Sequence, residues 1–189
     1  MTNTDDFVEF PKIARLNREC IITEKLDGMN VQIVVAPDGS IRVGTRTQWV
    51  TPEADICGFA AWARDHEDEL RQLGPGRHFG EWWGLGVRCS YGLKEKRLSL
   101  FNTLRWVMPG TEPGPKQKVL PACVGLVPVL WRGEFDSHIV NQQIQKLIAT
   151  GSVAAPGWMK PEGVVVFHVA ANVAFKVTCT NDHKPKGGE

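Results

Sequence analysis

The stretch Cys20-Ile21-Ile22-Thr23-Glu24-Lys25-Leu26-Asp27-Gly28-Met29-Asn30-Val31-Gln32-Ile33-Val34-Val35 decides how the chain is read. Two runs rich in β-branched residues, Cys20 to Lys25 and Met29 to Val35, flank Leu26-Asp27-Gly28, which predicts two strands joined by a turn at Gly28. Pro37-Asp38-Gly39-Ser40 supplies a second turn, and Ile41 to Arg46 returns as a third strand. Lys25 stands at the end of an apolar strand, where its amine could serve as a nucleophile. An ordinary lysine has a pKa near ~10.4, so attack at neutral pH needs burial, neighbouring cations or a metal. A surface lysine in a turn is the plain alternative.

Beyond this hairpin, Pro52 suits the first position of a helix. Ile56, Phe59, Ala60, Ala63, Leu70 and Leu73 follow at helical spacing with acids between them, which predicts one amphipathic helix. A second helix is expected over Asp136 to Thr150, with an apolar stripe at Ile139, Val140, Ile144, Leu147 and Ile148 and a stop at Gly151. Arg77 to Trp83, Leu98 to Trp106, Val124 to Trp131, Gly163 to Val169 and Val173 to Thr178 read as strands. Pro109 to Pro115 reads as an exposed loop. Many strands with two helices predict an α+β domain with mainly antiparallel sheet.

The chain has 189 residues, room for one ordinary domain, with a tail from about 180 expected to be mobile. Lys plus Arg (22) nearly balance Asp plus Glu (21), which excludes a strongly basic whole-protein field, so any phosphate-binding surface must be local. Five spread cysteines without a CxxC pair signal neither a disulfide framework nor a zinc site, and suit a reducing, cytoplasmic compartment. The N-terminus lacks a signal-peptide pattern, and the most apolar run, Val119 to Trp131, is short and broken by Pro121 and Pro128, so no membrane span is expected.

Further stretches follow in order: His78-Phe79-Gly80-Glu81-Trp82-Trp83-Gly84, Leu98-Ser99-Leu100-Phe101-Asn102, Pro161-Glu162-Gly163-Val164-Val165-Val166 and Phe175-Lys176-Val177. Glu81 is an odd charge for a strand that is only core. Glu162 stands at the entrance of an apolar strand, where a carboxylate can aim into a cleft. Trp82 and Trp83, being consecutive in a strand, must face opposite sides and read as packing. With KLDG, these stretches resemble motifs I, III, IIIa, IV and V of the covalent nucleotidyltransferase superfamily, which holds ATP-dependent RNA and DNA ligases and mRNA capping enzymes. The FGEWWGLG and KEKRLSLFN segments are most similar to the RNA ligase branch, particularly its phage-encoded members.

The resemblance implies two mainly antiparallel sheets with flanking helices, in an ATP-grasp-like nucleotidyltransferase core that binds the nucleotide between them; with eleven residues after Thr178, no appended OB-fold is expected, a departure from the DNA ligases and capping enzymes. It implies ATP as substrate, Mg²⁺ or Mn²⁺ as cofactor, and RNA, or alternatively DNA, with 5′-phosphate and 3′-hydroxyl ends as partner of a monomer. Lys25 would take AMP, with Asp27 beside it. Arg46 would contact phosphate, Glu81 the ribose or the metal site, Phe101 the purine, Glu162 the divalent cation and Lys176 the α-phosphate. A second lysine near the α-phosphate also favours a free amine on Lys25. For Arg46 the alternative is a solvated hairpin-edge arginine, and for Phe101 a core phenylalanine.

Motif V of the family commonly carries two lysines, whereas this chain has Lys176 alone between Ala174 and Thr178; Lys184 or Lys186 could compensate. Arg88, Lys94, Lys96, Arg97 and Arg105 against Glu95 form a local basic excess, readable as a strand-binding patch or as a solvated loop. Glu24 faces away from Lys25 by strand alternation and is not expected to be a ligand. A DNA ligase, a capping-type guanylyltransferase and a non-catalytic binding module on the same fold are the competing functions.

Overall fold

The computed structural model describes residues 7–180; the expected mobile tail and the compensating Lys184 and Lys186 lie outside the described residues, apart from Thr180. The elements run in the order β1 (Glu19–Lys25), β2 (Met29–Val35), β3 (Ile41–Thr45), β4 (Trp49–Val50), α1 (Phe59–Asp65), α2 (Glu67–Arg71), β5 (Gly76–Gly84), β6 (Lys96–Leu100), β7 (Trp106–Val107), β8 (Lys118–Val119), β9 (Gly125–Leu126), β10 (Val129–Glu134), α3 (Ser137–Thr150), β11 (Gly163–His168) and β12 (Val173–Thr178).

They form a four-stranded antiparallel sheet ordered β10-β1-β11-β12 and a six-stranded sheet ordered β4-β3-β2-β5-β6-β9. The six-stranded sheet is antiparallel except for the parallel β6–β9 pair. A small parallel pair, β7-β8, stands apart. The turn Leu26-Asp27-Gly28 therefore joins two different sheets, and the junction is where the chemistry-bearing residues gather.

Strand alternation sorts the side chains. Val31, Ile33 and Val35 of β2 and Gly80 and Trp82 of β5 turn to the face covered by α1 and α2, where Phe59, Ala60, Ala63, Leu70 and Leu73 complete the larger core. In the other sheet Cys20, Ile22, Val164 and Val166 pack under Val140, Ile144 and Leu147 of α3. The opposite face of the six-stranded sheet carries Asn30, Gln32, Arg77, Phe79 and Glu81.

Several sequence-based expectations are corrected. The first helix does not begin at Pro52: Cys57 (φ 54) and Gly58 (φ 73) lie in the left-handed region, and the helix starts at Phe59. Its first-turn amides are satisfied from farther back, since the Asp55 carboxylate accepts from Ala60 N (2.9 Å) and Ala61 N (3.0 Å). The stripe then splits into α1 and α2 at His66, whose backbone leaves helical values.

Leu98 to Trp106 is not one strand. β6 ends at Leu100, a turn closed by Asn102 O and Asn102 Oδ1 accepting from Arg105 N intervenes, and Trp106 opens β7. Val124 to Trp131 likewise divides at Pro128 between β9 in one sheet and β10 in the other. Proline lacks the N–H that a continuing ladder would need. α3 behaves as its sequence predicts: the Asp136 side chain caps it by accepting from His138 N (2.7 Å), and Gly151 (φ 82) ends it. The Pro109–Pro115 stretch is an exposed loop. All five cysteines are free thiols. Among the described residues no helix is long and apolar enough to cross a membrane.

Candidate active site

Lys25 is the last residue of β1, and the next residues leave the four-stranded sheet for the six-stranded one. Gly28 is where the chain can pass. A Cβ there would run into the Trp82 carbonyl oxygen and lie 2.9 Å from Trp83 Cβ and 3.0 Å from Glu81 Cγ, so the turn lies directly against β5. Three groups pin it. Tyr91 Oη accepts from Asp27 N (2.6 Å), Glu81 Oε1 accepts from Gly28 N (3.0 Å), and Arg88 Nε donates to Gly28 O (3.3 Å).

Glu81 is 5% exposed, and its second oxygen accepts from Asn30 Nδ2 at 2.5 Å. Burial pushes its carboxyl up to about 7, against the opposing pull of Asn30, Lys25 and the Gly28 N–H, while Glu162 adds to the rise. Burial also raises the Tyr91 hydroxyl, so it remains protonated. Tyr91, the chain's one tyrosine, packs edge-on against Trp83 at 5.0 Å between ring centroids. Trp83 donates its indole N–H to Ser99 Oγ (3.0 Å), whereas Trp82 sits on the opposite side in the larger core; both are packing residues, as alternation requires.

Across the junction, Glu162 Oε1 lies 2.5 Å from Lys25 Nζ, with the two side chains 30% and 24% exposed. Glu162 precedes β11, and simple alternation would point it away from Lys25, because Lys25 pairs with Gly163. Gly163 breaks the alternation with φ +151, and a Cβ there would collide with the Val177 carbonyl of β12. The Glu162-Gly163 pair is thus a device for bringing a carboxylate round to the lysine.

Glu162 Oε2 is buried and has no hydrogen-bond partner among the described residues. That orphan oxygen fits a divalent cation held by one carboxylate with phosphate oxygens and waters supplying the remaining ligands. Among the described residues no cluster of three or more His, Cys, Asp or Glu gathers for a metal. Glu81 fits less well as a metal ligand, since both of its oxygens already accept hydrogen bonds; its geometry holds the turn that carries Asp27.

The remaining sequence-predicted residues are placed as follows. Lys176 pairs with Val165, which pairs with Thr23, two residues before Lys25, so Lys176 shares the face of Lys25 two strands away. It is exposed. Arg46 is exposed just past β3 and makes no hydrogen bond or ion pair with the described residues. Phe101 is 41% exposed at the end of β6, its N–H bonded to Phe79 O (3.0 Å), on the same sheet face as Glu81.

The basic residues Arg88 to Arg105 do not form one patch. Arg88 reaches the turn at Gly28, Arg97 pairs with Glu95 (2.6 Å), and the Lys96 amine lies near Gly58. Arg105 donates to Leu73 O (3.2 Å) and stacks on Trp106, on the core side of the sheet; Lys94 is exposed. Glu24 is 1% exposed, faces away from Lys25, and accepts from Val153 N and Ala154 N, both at 2.9 Å. Tyr91 and Asn30 were not singled out from the sequence; a lone tyrosine after the FGEWWG stretch and an asparagine in a mostly apolar strand were the available signals.

Residues 18–178 match the RNA ligase family, and the chain belongs to that family. No curated protein matches it. Among solved structures it is similar to the RNA ligase of Naegleria gruberi. Two mutants of that protein solved with ATP and Mn match with TM-scores of 0.57 and 0.59, and one with AMP and Mn matches with 0.58, each at 19% identity. The matches cover 86% to 87% of this chain but 50% to 51% of the Naegleria chains, so this chain spans about half their length. At that identity the likeness shows a shared fold.

Proposed function

We propose that the chain is an ATP-dependent RNA ligase with a nucleotidyltransferase core, working through AMP carried on Lys25. The observation that supports it most is the meeting of Lys25, Glu162 and the Glu81-held Asp27–Gly28 turn at the junction of two sheets, in a chain of the RNA ligase family.

In the first step Lys25 Nζ, having given a proton to solvent, attacks the α-phosphorus of ATP. A P–N bond forms, the bond to the bridging oxygen breaks, and pyrophosphate leaves. An oxygen of an RNA 5′-phosphate then attacks the phosphorus held on Lys25, the P–N bond breaks as the lysine nitrogen takes a proton from solvent and leaves as the amine, and AMP is carried on the RNA end. Finally a 3′-hydroxyl, losing its proton, attacks that end; a phosphodiester forms and AMP leaves. Bound Mg²⁺ or Mn²⁺ would supply charge neutralisation on the phosphates, as phosphoryl-type transfers require.

The protein's own contribution is positioning. Glu162 would hold the cation through its orphan oxygen and release the Lys25 amine on doing so. Arg46 would meet phosphate with a guanidinium fork, Lys176 would stand by the α-phosphate, and Phe101 would lie against the purine. Asp27 follows the nucleophile on the pinned turn, near the same phosphate.

The test is joining of a 5′-phosphorylated RNA with a free 3′-hydroxyl, given ATP and Mg²⁺ or Mn²⁺, with the matching DNA and with GTP in parallel. ATP-dependent sealing of RNA is expected. Sealing of DNA alone would replace this reading with a DNA ligase, transfer of GMP with a capping-type enzyme, and binding without any transfer with an inert module.

A further inference from the structure

The open face of the six-stranded sheet carries more than the site at its edge. Strand pairing puts Trp49, Gly44, Gln32 and Phe79 in one row across β4, β3, β2 and β5, and Phe101 continues it. Arg42, Val34 and Arg77 form the next row outward. On the inner side, Asn30, Glu81 and Ser99 form the row at the catalytic junction. Rows on one face are roughly 7 Å apart, so the arginine row lies about 13 to 14 Å from the Glu81 row.

The outer rows are unusual for a solvent-facing sheet. Trp49 is 42% and Phe79 54% exposed, and neither row holds a carboxylate. The Arg42 guanidinium lies 4.2 Å from the Trp49 ring centroid, and Arg77 stands 5.8 Å from Trp49 and 5.9 Å from Phe79. A Cβ at Gly44 would be 3.1 Å from the Trp49 ring, so the glycine lets that ring lie low across the sheet. Exposed flat rings interleaved with guanidinium groups, without acids, match what a single-stranded nucleic acid presents: bases to stack and phosphates to neutralise.

We propose that this face is a track for the single-stranded RNA adjoining the reacting end, with bases stacked on Trp49 and Phe79 and phosphates met by Arg42 and Arg77. The proposal rests on the ligase reading, and extends it to a surface beyond the phosphate-handling residues. The track starts two residues along β5 from Glu81, so an RNA end over Lys25 leads its next nucleotides onto it. Arg105, which points to the core side of the sheet, plays no part in it, in contrast to the basic segment that the sequence suggested.

The experiment measures binding of a labelled, 5′-phosphorylated single-stranded RNA across a salt series, alongside AMP adduct formation by intact mass. Wild type is compared with Trp49→Ala, Phe79→Ala, the double variant Arg42→Ala/Arg77→Ala, and Lys25→Ala. Each ring deletion is expected to weaken binding roughly 5- to 100-fold, as loss of a base stack does. The arginine pair should reduce the slope of log affinity against log salt by about 1.4. All of the track variants should still accept AMP, while Lys25→Ala should lose the adduct.

Unchanged RNA affinity in the ring and arginine variants, with circular dichroism verifying their folds, overturns the track while an AMP adduct leaves the ligase reading standing. No adduct on wild type, with RNA binding lost in the track variants, does the reverse. A wild-type dimer that Trp49→Ala dissociates, with RNA affinity unchanged, would make the face a contact between copies and end the proposal.

Discussion

Glu162 Oε1 lies 2.5 Å from Lys25 Nζ, while Glu162 Oε2 is buried without a partner among the described residues. One carboxylate thus holds the Lys25 amine with one oxygen and keeps the other open. The pair fixes the Lys25 amine beside that open oxygen, and in the proposed reaction a cation held there would weaken the hold on the amine.

Glu162→Gln should therefore depress formation of the AMP adduct, by roughly 10²-fold if its charge matters as preorganised charged groups usually do. It should also raise the Mg²⁺ or Mn²⁺ concentration needed for half-maximal adduct. Adduct rates across a metal titration check this, and a variant with an unchanged metal requirement would remove Glu162 from the cation.

Glu81 makes stability depend on pH in a defined direction. Its folded value of about 7 is above the ordinary 4.5, so between those limits the native state binds more protons than the unfolded one. The contribution is full below about pH 4.5 and is lost as pH rises through 7, by about 3 kcal/mol for a shift of this size. Melting temperatures of wild type and Glu81→Gln from pH 4.5 to 8 test this. The wild-type curve should fall relative to the variant's across that window, and parallel curves would contradict the assignment.

Gly28→Ala places a Cβ against the Trp82 carbonyl and 2.9 Å from Trp83 Cβ. Overpacking of this kind costs about 1 to 3 kcal/mol, and here it also lifts the turn that follows Lys25. Denaturant unfolding should show the loss, and adduct formation should slow more than in a variant of equal stability altered in α3, such as Leu147→Ala.

Glu24→Ala removes the acceptor for Val153 N and Ala154 N, two part-buried amides. Losing that acceptor should cost about 1 to 3 kcal/mol for each amide that finds no water. Glu24 is a support for the loop leading to Glu162, so the loss should appear in stability first and in adduct rate only through Glu162 placement.

Much of this arrangement was legible in the sequence because it is carried by short local signals. The hairpin from Met29 to Thr45, the helix from Ser137 with its Asp136 cap and Gly151 stop, and the pair β11 and β12 are set by period-two or helical patterning and by turn residues. The helix expected from Pro52 was misjudged because an apolar stripe cannot reveal that Cys57 and Gly58 take left-handed backbone values. The apparent strands at Leu98 to Trp106 and Val124 to Trp131 failed for a related reason: apolar runs hide turns when each half enters a different sheet.

At the site, residue types announced Lys25, Glu81 and Glu162, but their partners were not legible. Tyr91 reaches Asp27 across 64 positions, Asn30 reaches Glu81 across 51, and no local pattern encodes such contacts. The turning of Glu162 toward Lys25 depends on the backbone of Gly163, which alternation alone would have misplaced.

The central claim is that Lys25 carries AMP, and intact-mass analysis of wild type and Lys25→Ala after incubation with ATP and Mg²⁺ or Mn²⁺ tests it most directly. One AMP on wild type, discharged by 5′-phosphorylated RNA, and none on Lys25→Ala is the predicted result. An adduct that persists on Lys25→Ala, or none on folded wild type that did not already carry AMP, would contradict it.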